Sequence, residues 1–314
     1  MMIILFRLPV GKIESRRLLV NPPVRMLKSN LMTMREIDVI AAEKAVAGLC
    51  QKANFELGAD VIKALQDSLG KEQSAIGREV LKSLLDNADK SLNKRVPLCQ
   101  DCGAAVVFVE IGQDVHITGG NLSDAIERGV KKGYSEGYLR KSMVSRPFSE
   151  RVNTGDNTPP VIHYDIVPGD HLRIVVMPKG GGAENTSRVS MLSPGDGEQG
   201  IIDVVEETVR GAGGAPCPPL IVGIGIGGTL EKAAIMAKKA LMRPVGQPGP
   251  DPELVILEEK ILNRLNCLGI GPLGMGGSST ALAVHILAFP CHMASLPVAV
   301  NLQCHSARHA EVVL

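Results

Sequence analysis

The most informative segment of the sequence is Pro97-Leu98-Cys99-Gln100-Asp101-Cys102-Gly103, which is followed directly by Ala104-Ala105-Val106-Val107-Phe108-Val109-Glu110. The second half is an apolar, β-branched run that begins after a glycine, a pattern typical of a buried strand. The first half places a cysteine, an amide and a carboxylate in consecutive positions before Gly103, where the chain can turn. A thiol able to bind a soft metal and an ionisable acid therefore meet at the start of a rigid element.

The overall composition excludes several classes of protein. With 314 residues, 45% hydrophobic content and a formal net charge of +1, the chain has the composition of a globular protein. A sequence pI of about 7.6 and an aromatic content of 3% argue against a nucleic-acid-binding surface. No apolar run reaches membrane-spanning length, so we expect no membrane association. The seven cysteines are widely spread and odd in number, which fits a reducing compartment and predicts a cytoplasmic location.

The first residues read as a separate segment. Met1 to Arg7 is apolar and then basic, the reverse of the order in a secretory signal. Further methionines, among them Met32, suggest that the natural start lies near that residue. We therefore predict an N-terminal appendage over residues 1–33 and one domain over residues 34–314.

Helical periodicity comes first in this domain, and strands follow it. Apolar residues at three- and four-residue spacing predict three helices between Met34 and Leu92, with breaks at Gly58 and Gly70. Later strands and helices alternate: strands over 161–166, 172–177, 220–228 and 296–302, and helices starting at Asn121 and spanning 201–209, 229–241 and 252–265. This order predicts an α/β fold with an N-terminal helical layer followed by a mixed β-sheet domain.

Two glycine-rich segments invite a ligand-binding interpretation. Gly223-Ile224-Gly225-Ile226-Gly227-Gly228 ends a strand, but its spacing departs from Gly-x-Gly-x-x-Gly and no acidic strand end follows about 20 residues on. The alternative is close packing of a glycine-containing strand against the next helix. Lys179-Gly180-Gly181-Gly182 permits backbone N–H groups to approach an anion, or is a flexible surface loop.

Three single cysteines lie at predicted loop–strand junctions: Cys99, Cys217 and Cys304. Thiols from separate loops can hold one iron–sulfur cluster, although a free cysteine is often a small core residue. Cys99 and Cys102 form a Cys-x-x-Cys, but the chain offers no second such pair for zinc and no setting for a thioredoxin-like redox pair. By default His292 is a structural or solvated loop residue.

Six motifs in this order resemble the class I iron–sulfur hydro-lyases, the family of class I fumarases and L-tartrate dehydratases. They are Pro97–Gly103, Asn153-Thr154-Gly155-Asp156-Asn157, Lys179–Gly182, Cys217-Pro218-Pro219, Gly269-Ile270-Gly271-Pro272 and Val300-Asn301-Leu302-Gln303-Cys304. The resemblance covers the chain from about Met34 to Leu314. Because the chain ends soon after Cys304, it looks like the α subunit of the two-subunit form, equivalent to the N-terminal domain of the long form.

The resemblance implies a cofactor and a set of site residues. The cofactor is a [4Fe-4S] cluster held by Cys99, Cys217 and Cys304 on loops that face one cleft, with one iron left open as a Lewis acid. The implied catalytic residues are Asp101 and His292, and the implied substrate-binding residues are Gln100, Asp101, Arg140 and the Gly182 backbone. Cys102 stands where the family carries a threonine, and Cys99 aligns with the family's ligand.

The implied activity is the reversible hydration or dehydration of a C4 dicarboxylate. Fumarate to (S)-malate, a step of the tricarboxylic acid cycle, is the first expectation, and L-tartrate to oxaloacetate is the second. The resemblance also implies a β subunit that supplies further substrate contacts, and hence a hetero-oligomer. The alternative, from a different class, is a non-catalytic scaffold or regulatory subunit of an iron–sulfur complex.

Overall fold

A computed structural model describes residues 34–314, so the expected appendage over residues 1–33 lies outside the described residues. The described part begins with a short strand and three helices: β1 (Arg35–Asp38), α1 (Val39–Phe55), α2 (Ala59–Lys71) and α3 (Ala75–Lys94). The expected helical layer is therefore confirmed. The expected breaks are confirmed as well, since Gly58 precedes α2 and Gly70 lies one residue before the end of α2 at Lys71.

Strands and helices then alternate. They are β2 (Ala104–Gly112), β3 (Val115–Thr118), α4 (Leu122–Glu136), β4 (Val161–Val167), β5 (Leu172–Lys179), α5 (Gly181–Asn185), β6 (Arg188–Leu192), α6 (Gly197–Ala212), β7 (Leu220–Gly227), α7 (Leu230–Ala240), α8 (Pro252–Asn266), β8 (Ala281–Phe289), β9 (Leu296–Gln303) and β10 (Ala310–Val313). This confirms a mixed α/β architecture. Among these helices none combines the length and the apolar character needed to cross a membrane.

Two four-stranded mixed sheets organise the domain. The first has the order β10-β5-β2-β4, and the second has the order β6-β9-β7-β8; β1 and β3 form a small parallel pair. In the first sheet β2 pairs parallel with β4 and antiparallel with β5. The strands β4 and β5 follow one another in sequence, yet β2 lies between them.

The continuous apolar run of β2 arises because both faces of the strand are buried. Successive side chains of a strand point to opposite faces. Ala105, Val107 and Val109 pack in a core shared with α1 and α4, whereas Val106 and Phe108 pack in a second core with residues of α2, α3 and the other sheet. A strand that is covered on both faces has a uniformly apolar sequence, and the run after Gly103 correctly predicted such a buried strand.

The glycines of β7 serve helix packing. A Cβ atom on Gly223 would lie 2.1 Å from the carbonyl oxygen of Ala237, and one on Gly225 would lie 2.0 Å from that of Ala233. Real Cβ atoms do not approach so closely, so only glycine lets α7 lie directly on β7. Of the two interpretations of this segment, the structure therefore supports close strand–helix packing.

Candidate active site

The three cysteines singled out in the sequence lie outside helices and strands. Cys99 lies between α3 and β2, Cys217 between α6 and β7, and Cys304 directly after β9. Strands β7 and β9 pair antiparallel, with Ile221 opposite Gln303. The start of β7 and the end of β9 therefore share one edge of the second sheet, which brings the Cys217 and Cys304 loops together.

The Cys99 loop meets the glycine run at one edge of the first sheet. Strands β2 and β5 pair antiparallel with Ala104 opposite Lys179, so the residues before β2 lie beside those after β5. Gly103 has φ +71°, and a Cβ atom there would lie 2.7 Å from the backbone carbonyl carbon of Lys179. Only glycine tolerates both the left-handed conformation and this approach.

Asp101 is fixed by backbone donors from both sides of this junction. Its Oδ1 accepts a hydrogen bond from the Gly103 N–H at 3.0 Å, and its Oδ2 accepts one from the Gly181 N–H at 2.7 Å. The side chain is half-buried. A carboxylate that accepts backbone N–H bonds is held in one orientation, so Asp101 is pre-positioned at the edge of the sheet.

Direct contacts join the edges of the two sheets. The buried Lys179 donates from Nζ to the carbonyl oxygen of Leu302 at 2.8 Å. A Cβ atom on Gly182 would lie 2.8 Å from the carbonyl oxygen of Ala215, so the glycine run packs directly on the Cys217 loop. The backbone N–H of His305 donates to the carbonyl oxygen of Cys217 at 3.3 Å. The loops that carry Asp101, Cys217 and Cys304 are thus one connected assembly.

The thiols influence one another electrostatically. Burial raises the pKa of the Cys217 thiol, and the neighbouring Cys304, Cys99 and Asp101 raise it further. Burial likewise raises the pKa of the Cys304 thiol, while Arg308 acts in the opposite direction. All seven cysteines are free. Bringing several thiolates together costs free energy unless a positive charge joins them, which is the electrostatic requirement of a metal-thiolate site.

Cys102 has a different environment from Cys99. Its side chain is 1% exposed, its Sγ accepts the Arg140 backbone N–H at 3.2 Å, and burial raises its pKa. Cys99 is partly exposed. A buried thiol that already accepts a backbone hydrogen bond is a poor candidate for a ligand. Cys99, in contrast, is close enough to Cys217 and Cys304 to raise the pKa of both thiols.

The donor set fits an iron–sulfur cluster better than a single ion. Within residues 34–314 no three histidine, cysteine or carboxylate side chains converge closely enough to hold one metal ion. In a cluster each thiolate binds a different iron, so its protein ligands need not converge on one point. Three free thiols carried by separate loops meet that requirement.

The other expected substrate-binding residues lie around this edge. Gln100 and Arg140 are exposed, and the backbone N–H of Arg140 donates to Sγ of Cys102. Gly182 is exposed in the first turn of α5, next to the Gly181 N–H that binds Asp101. The structure therefore brings Gln100, Arg140 and Gly182 to the periphery of the cysteine loops.

The structure does not bring His292 to this edge, contrary to our expectation. His292 precedes β9 and Cys304 follows it, so the two residues lie at opposite ends of an eight-residue strand. At about 3.4 Å per residue the ends are about 25 Å apart. His292 instead lines a cavity of about 440 Å³ with Ile226 and Leu296. Within one chain it cannot act beside Asp101.

Two residues of the site escaped the sequence analysis. His305 and Arg308 follow Cys304 in Cys304-His305-Ser306-Ala307-Arg308, and both contact the loops described above. The signal that could have identified them is their position in the sequence, one and four residues after the candidate ligand Cys304. It gave no indication that Arg308 would be buried, since charged residues are exposed in most settings.

Comparison with known proteins gives separate evidence on the family of this chain. The sequence profile of the family described as "Fumarate hydratase (Fumerase)" matches residues 43–313. The chain is 42% identical over 269 residues to "Putative L(+)-tartrate dehydratase subunit alpha" of Methanocaldococcus jannaschii, covering 84% of this chain and 94% of the relative. It is 32% identical over 273 residues to "L(+)-tartrate dehydratase subunit alpha" of Escherichia coli K12, covering 86% and 89%. The chain therefore belongs to the class I fumarate hydratase and L-tartrate dehydratase family of hydro-lyases, in which it is related to the α subunits.

Proposed function

We propose that this chain is the α subunit of an iron–sulfur hydro-lyase that adds water to, or removes it from, a C4 dicarboxylate. The observation that carries the proposal is the assembly of the Cys99, Cys217 and Cys304 loops around a pre-positioned Asp101. The alternative of a non-catalytic scaffold gives no reason for a carboxylate fixed in this way.

Cys99, Cys217 and Cys304 would hold a [4Fe-4S] cluster. When bound, a cluster with three protein thiolates supplies an open iron that acts as a Lewis acid toward substrate oxygen atoms. The contacts of His305 with Cys217 and of Lys179 with Leu302 keep the ligand loops in place. The cluster's protein environment is thus built from both sheets.

Asp101 is the proposed general base. Dehydration requires removal of a proton from the carbon next to the one that loses hydroxide. The Gly103 and Gly181 N–H groups each occupy one lone pair of the carboxylate, and each oxygen keeps another for the substrate proton. In the direction of hydration the protonated Asp101 returns this proton to carbon.

Arg140, Gln100 and the Gly182 N–H are the proposed substrate contacts in this chain. A dicarboxylate brings two negative charges, which an arginine and backbone donors bind through charge-assisted hydrogen bonds. Arg140 is exposed, and no ion pair engages it among residues 34–314. A second carboxylate needs further donors, and we propose that a β subunit supplies them.

The substrate that we propose first is L-tartrate, with fumarate second. Both relatives described above carry the name of L(+)-tartrate dehydratase α subunits, whereas the family profile carries the name fumarate hydratase. This reverses the order expected from the sequence and takes the enzyme away from the tricarboxylic acid cycle. We keep the cytoplasm as the proposed location, because free thiols of a cluster site fit a reducing compartment.

The test uses the full chain, purified without oxygen and supplied with iron and sulfide. We expect it to bind iron and sulfide, to absorb broadly near about 400 nm as thiolate-bound iron does, and to turn over L-tartrate faster than fumarate once co-expressed with its β subunit. Turnover without cluster formation would contradict the proposed cofactor. A fully loaded pair that acts on neither substrate would favour the scaffold alternative.

A further inference from the structure

Arg308 is a buried guanidinium that has no carboxylate partner. Its side chain is 1% exposed and is among the largest of the fully buried side chains in residues 34–314. Its Nη1 donates to the carbonyl oxygen of Asp101 at 2.7 Å and to Oδ1 of Asn54 at 3.2 Å. Its Nε has no hydrogen-bond partner, and no acidic side chain among residues 34–314 lies within ion-pair distance of it.

Two other cations that are largely shielded from solvent have ion-pair partners. The buried Lys179, which is 3% exposed, pairs with Glu184 at 3.1 Å, and the half-buried Arg243 pairs with Glu258 at 2.6 Å. A charge in a protein interior without such a partner is strongly unfavourable. Arg308 therefore depends on negative charge that lies beyond ion-pair distance.

Arg308 lies beside the Asp101 carboxylate at the cysteine site. Nη2 of Arg308 and Oδ2 of Asp101 both lie within 3.5 Å of the point where a Cβ atom on Gly180 would stand. Arg308 belongs to the segment that follows Cys304, and its Nη1 binds the carbonyl oxygen of Asp101, two positions after Cys99. The guanidinium thus joins the Cys99 loop to the segment that carries Cys304.

We propose that Arg308 is the counter-cation of the cysteine site, a positioning residue whose charge offsets that of the thiolates when they hold a cluster. Through Nη1 it also fixes the peptide group of Asp101. This inference rests on the proposed function, because it takes Cys99, Cys217 and Cys304 as cluster ligands. Direct binding of substrate is excluded as the role of Arg308 by its burial, in contrast to the exposed Arg140.

The Arg308 charge should affect the stability of the cluster-free chain and of the loaded chain in opposite directions. If Arg308 is a counter-cation, its charge is a burden to the cluster-free chain and a benefit to the loaded chain. Replacing a buried unpaired charge by a neutral group of similar size is often neutral or stabilising. Arg308→Gln should therefore leave the cluster-free protein as stable as the parent, or more so, while weakening retention of the cluster.

The experiment compares Arg308→Gln and Arg308→Lys with a matched control, Arg173→Gln. Arg173 lies on β5 away from the cysteine edge and pairs with Glu110 and Glu311. All full-length proteins are purified without oxygen, and each is measured in cluster-free and reconstituted form. The readouts are the urea midpoint of the cluster-free chain, the rate of iron loss to a chelator, and the midpoint potential of the cluster.

We expect Arg308→Gln to lose iron about tenfold faster than the parent, as disruption of an outer-shell group typically does. Its midpoint potential should become more negative, because removing a nearby positive charge disfavours adding an electron. Arg308→Lys and Arg173→Gln should lose iron at rates within about twofold of the parent's rate. The urea midpoint of cluster-free Arg308→Gln should not fall.

Two results would overturn the inference. One is an Arg308→Gln protein that keeps its cluster and potential unchanged; the other is a cluster-free Arg308→Gln chain with a clearly lower urea midpoint, which would make Arg308 a structural residue. Failure of the proposed function is distinct, because then the parent itself would assemble no cluster or, when loaded and paired with its β subunit, would act on neither substrate.

Discussion

The ring nitrogen Nδ1 of His305 lies 3.0 Å from the carbonyl oxygen of Cys217, although the two residues are 88 positions apart in the chain. The backbone N–H of His305 reaches the same oxygen at 3.3 Å. Cys217 has φ +57°, a left-handed conformation that a residue with a side chain adopts only when its surroundings hold it there. His305 is therefore the link that holds the Cys217 loop against the Cys304 loop.

Removing this link should weaken cluster binding more than it weakens the fold. His305→Phe keeps the ring volume but loses the hydrogen bond to the Cys217 carbonyl, and we expect iron affinity to fall at least about tenfold. His305→Asn retains a side-chain donor and should recover much of the loss. Iron and sulfide content after anaerobic reconstitution measures the effect. Equal iron binding by His305→Phe and the parent would contradict this role.

The cysteines should separate into ligands and a packed thiol. Cys99→Ser, Cys217→Ser and Cys304→Ser should each lose iron and activity, because a hydroxyl is a poor ligand for iron in a cluster. Cys102→Thr should keep the cluster, since Cys102 is buried and its Sγ already accepts a hydrogen bond from the Arg140 N–H. Iron content and absorbance near about 400 nm report the outcome. Loss of the cluster from Cys102→Thr with retention in Cys99→Ser would reverse the assignment.

The glycine run provides a matched pair of substitutions. A Cβ atom on Gly182 would lie 2.8 Å from the Ala215 carbonyl oxygen, whereas one on Gly181 would meet only Asp101 Oδ2 at 3.8 Å. Gly182→Ala should therefore displace the Cys217 loop and reduce both iron content and turnover by about tenfold or more. Gly181→Ala should leave iron content near that of the parent. Comparable losses in both variants would show that the effect does not come from the Ala215 contact.

Glu72 should make stability depend on pH in the acidic range. Its carboxylate, 2% exposed, accepts the backbone N–H groups of Ser74 at 3.0 Å, Ser278 at 3.0 Å and Ser279 at 2.9 Å. Burial alone would raise its pKa, but these donors outweigh it and lower the pKa from 4.5 to about 2. Because the pKa is lowered, the Glu72 carboxylate contributes its full stabilisation at pH values above its pKa in the unfolded chain. This stabilisation is lost as the pH falls from about 5 to about 2.

The expected loss from this group is on the order of 2 to 3 kcal/mol of unfolding free energy. Glu72→Gln should be destabilised at pH 7 and should show a flatter dependence on pH, which urea unfolding at pH 7 and at pH 3 measures. Glu79→Gln, at an exposed carboxylate of α3 paired with Lys82, is the control and should change little. An unchanged pH dependence in Glu72→Gln would rule out this carboxylate as the source.

The Glu72 contacts extend to the cysteine site. Ser278 and Ser279 end a glycine-rich loop in which the Leu273 N–H donates to the carbonyl oxygen of Pro218 at 2.8 Å, next to Cys217. The helical layer formed by α2 and α3 thus supports the site through this loop. The N-terminal helices are therefore more than a packing layer.

Most of the elements and the local chemistry could be predicted from the amino-acid sequence alone. Apolar periodicity over α1–α3 and the β-branched runs of β2, β5, β7 and β9 depend on near neighbours, so they can be read along the chain. The same holds for Asp101, whose place after Cys99 and before a strand follows from consecutive residues. The short strands β1, β3, β6 and β10 were missed because their apolar signal is weak and pairing with distant strands stabilises them. The longer strand β8 (Ala281–Phe289) was also missed, although its sequence is apolar.

Which elements meet depends on the three-dimensional fold. Strand β2 lies between β4 and β5, and β9 separates His292, at one end of its sheet, from Cys304 at the other. Arg308 and Asp101 are 207 positions apart, yet one donates to the other's carbonyl. Such pairings arise from the joint burial of distant surfaces, and no local pattern in the chain specifies which distant residues will share a site.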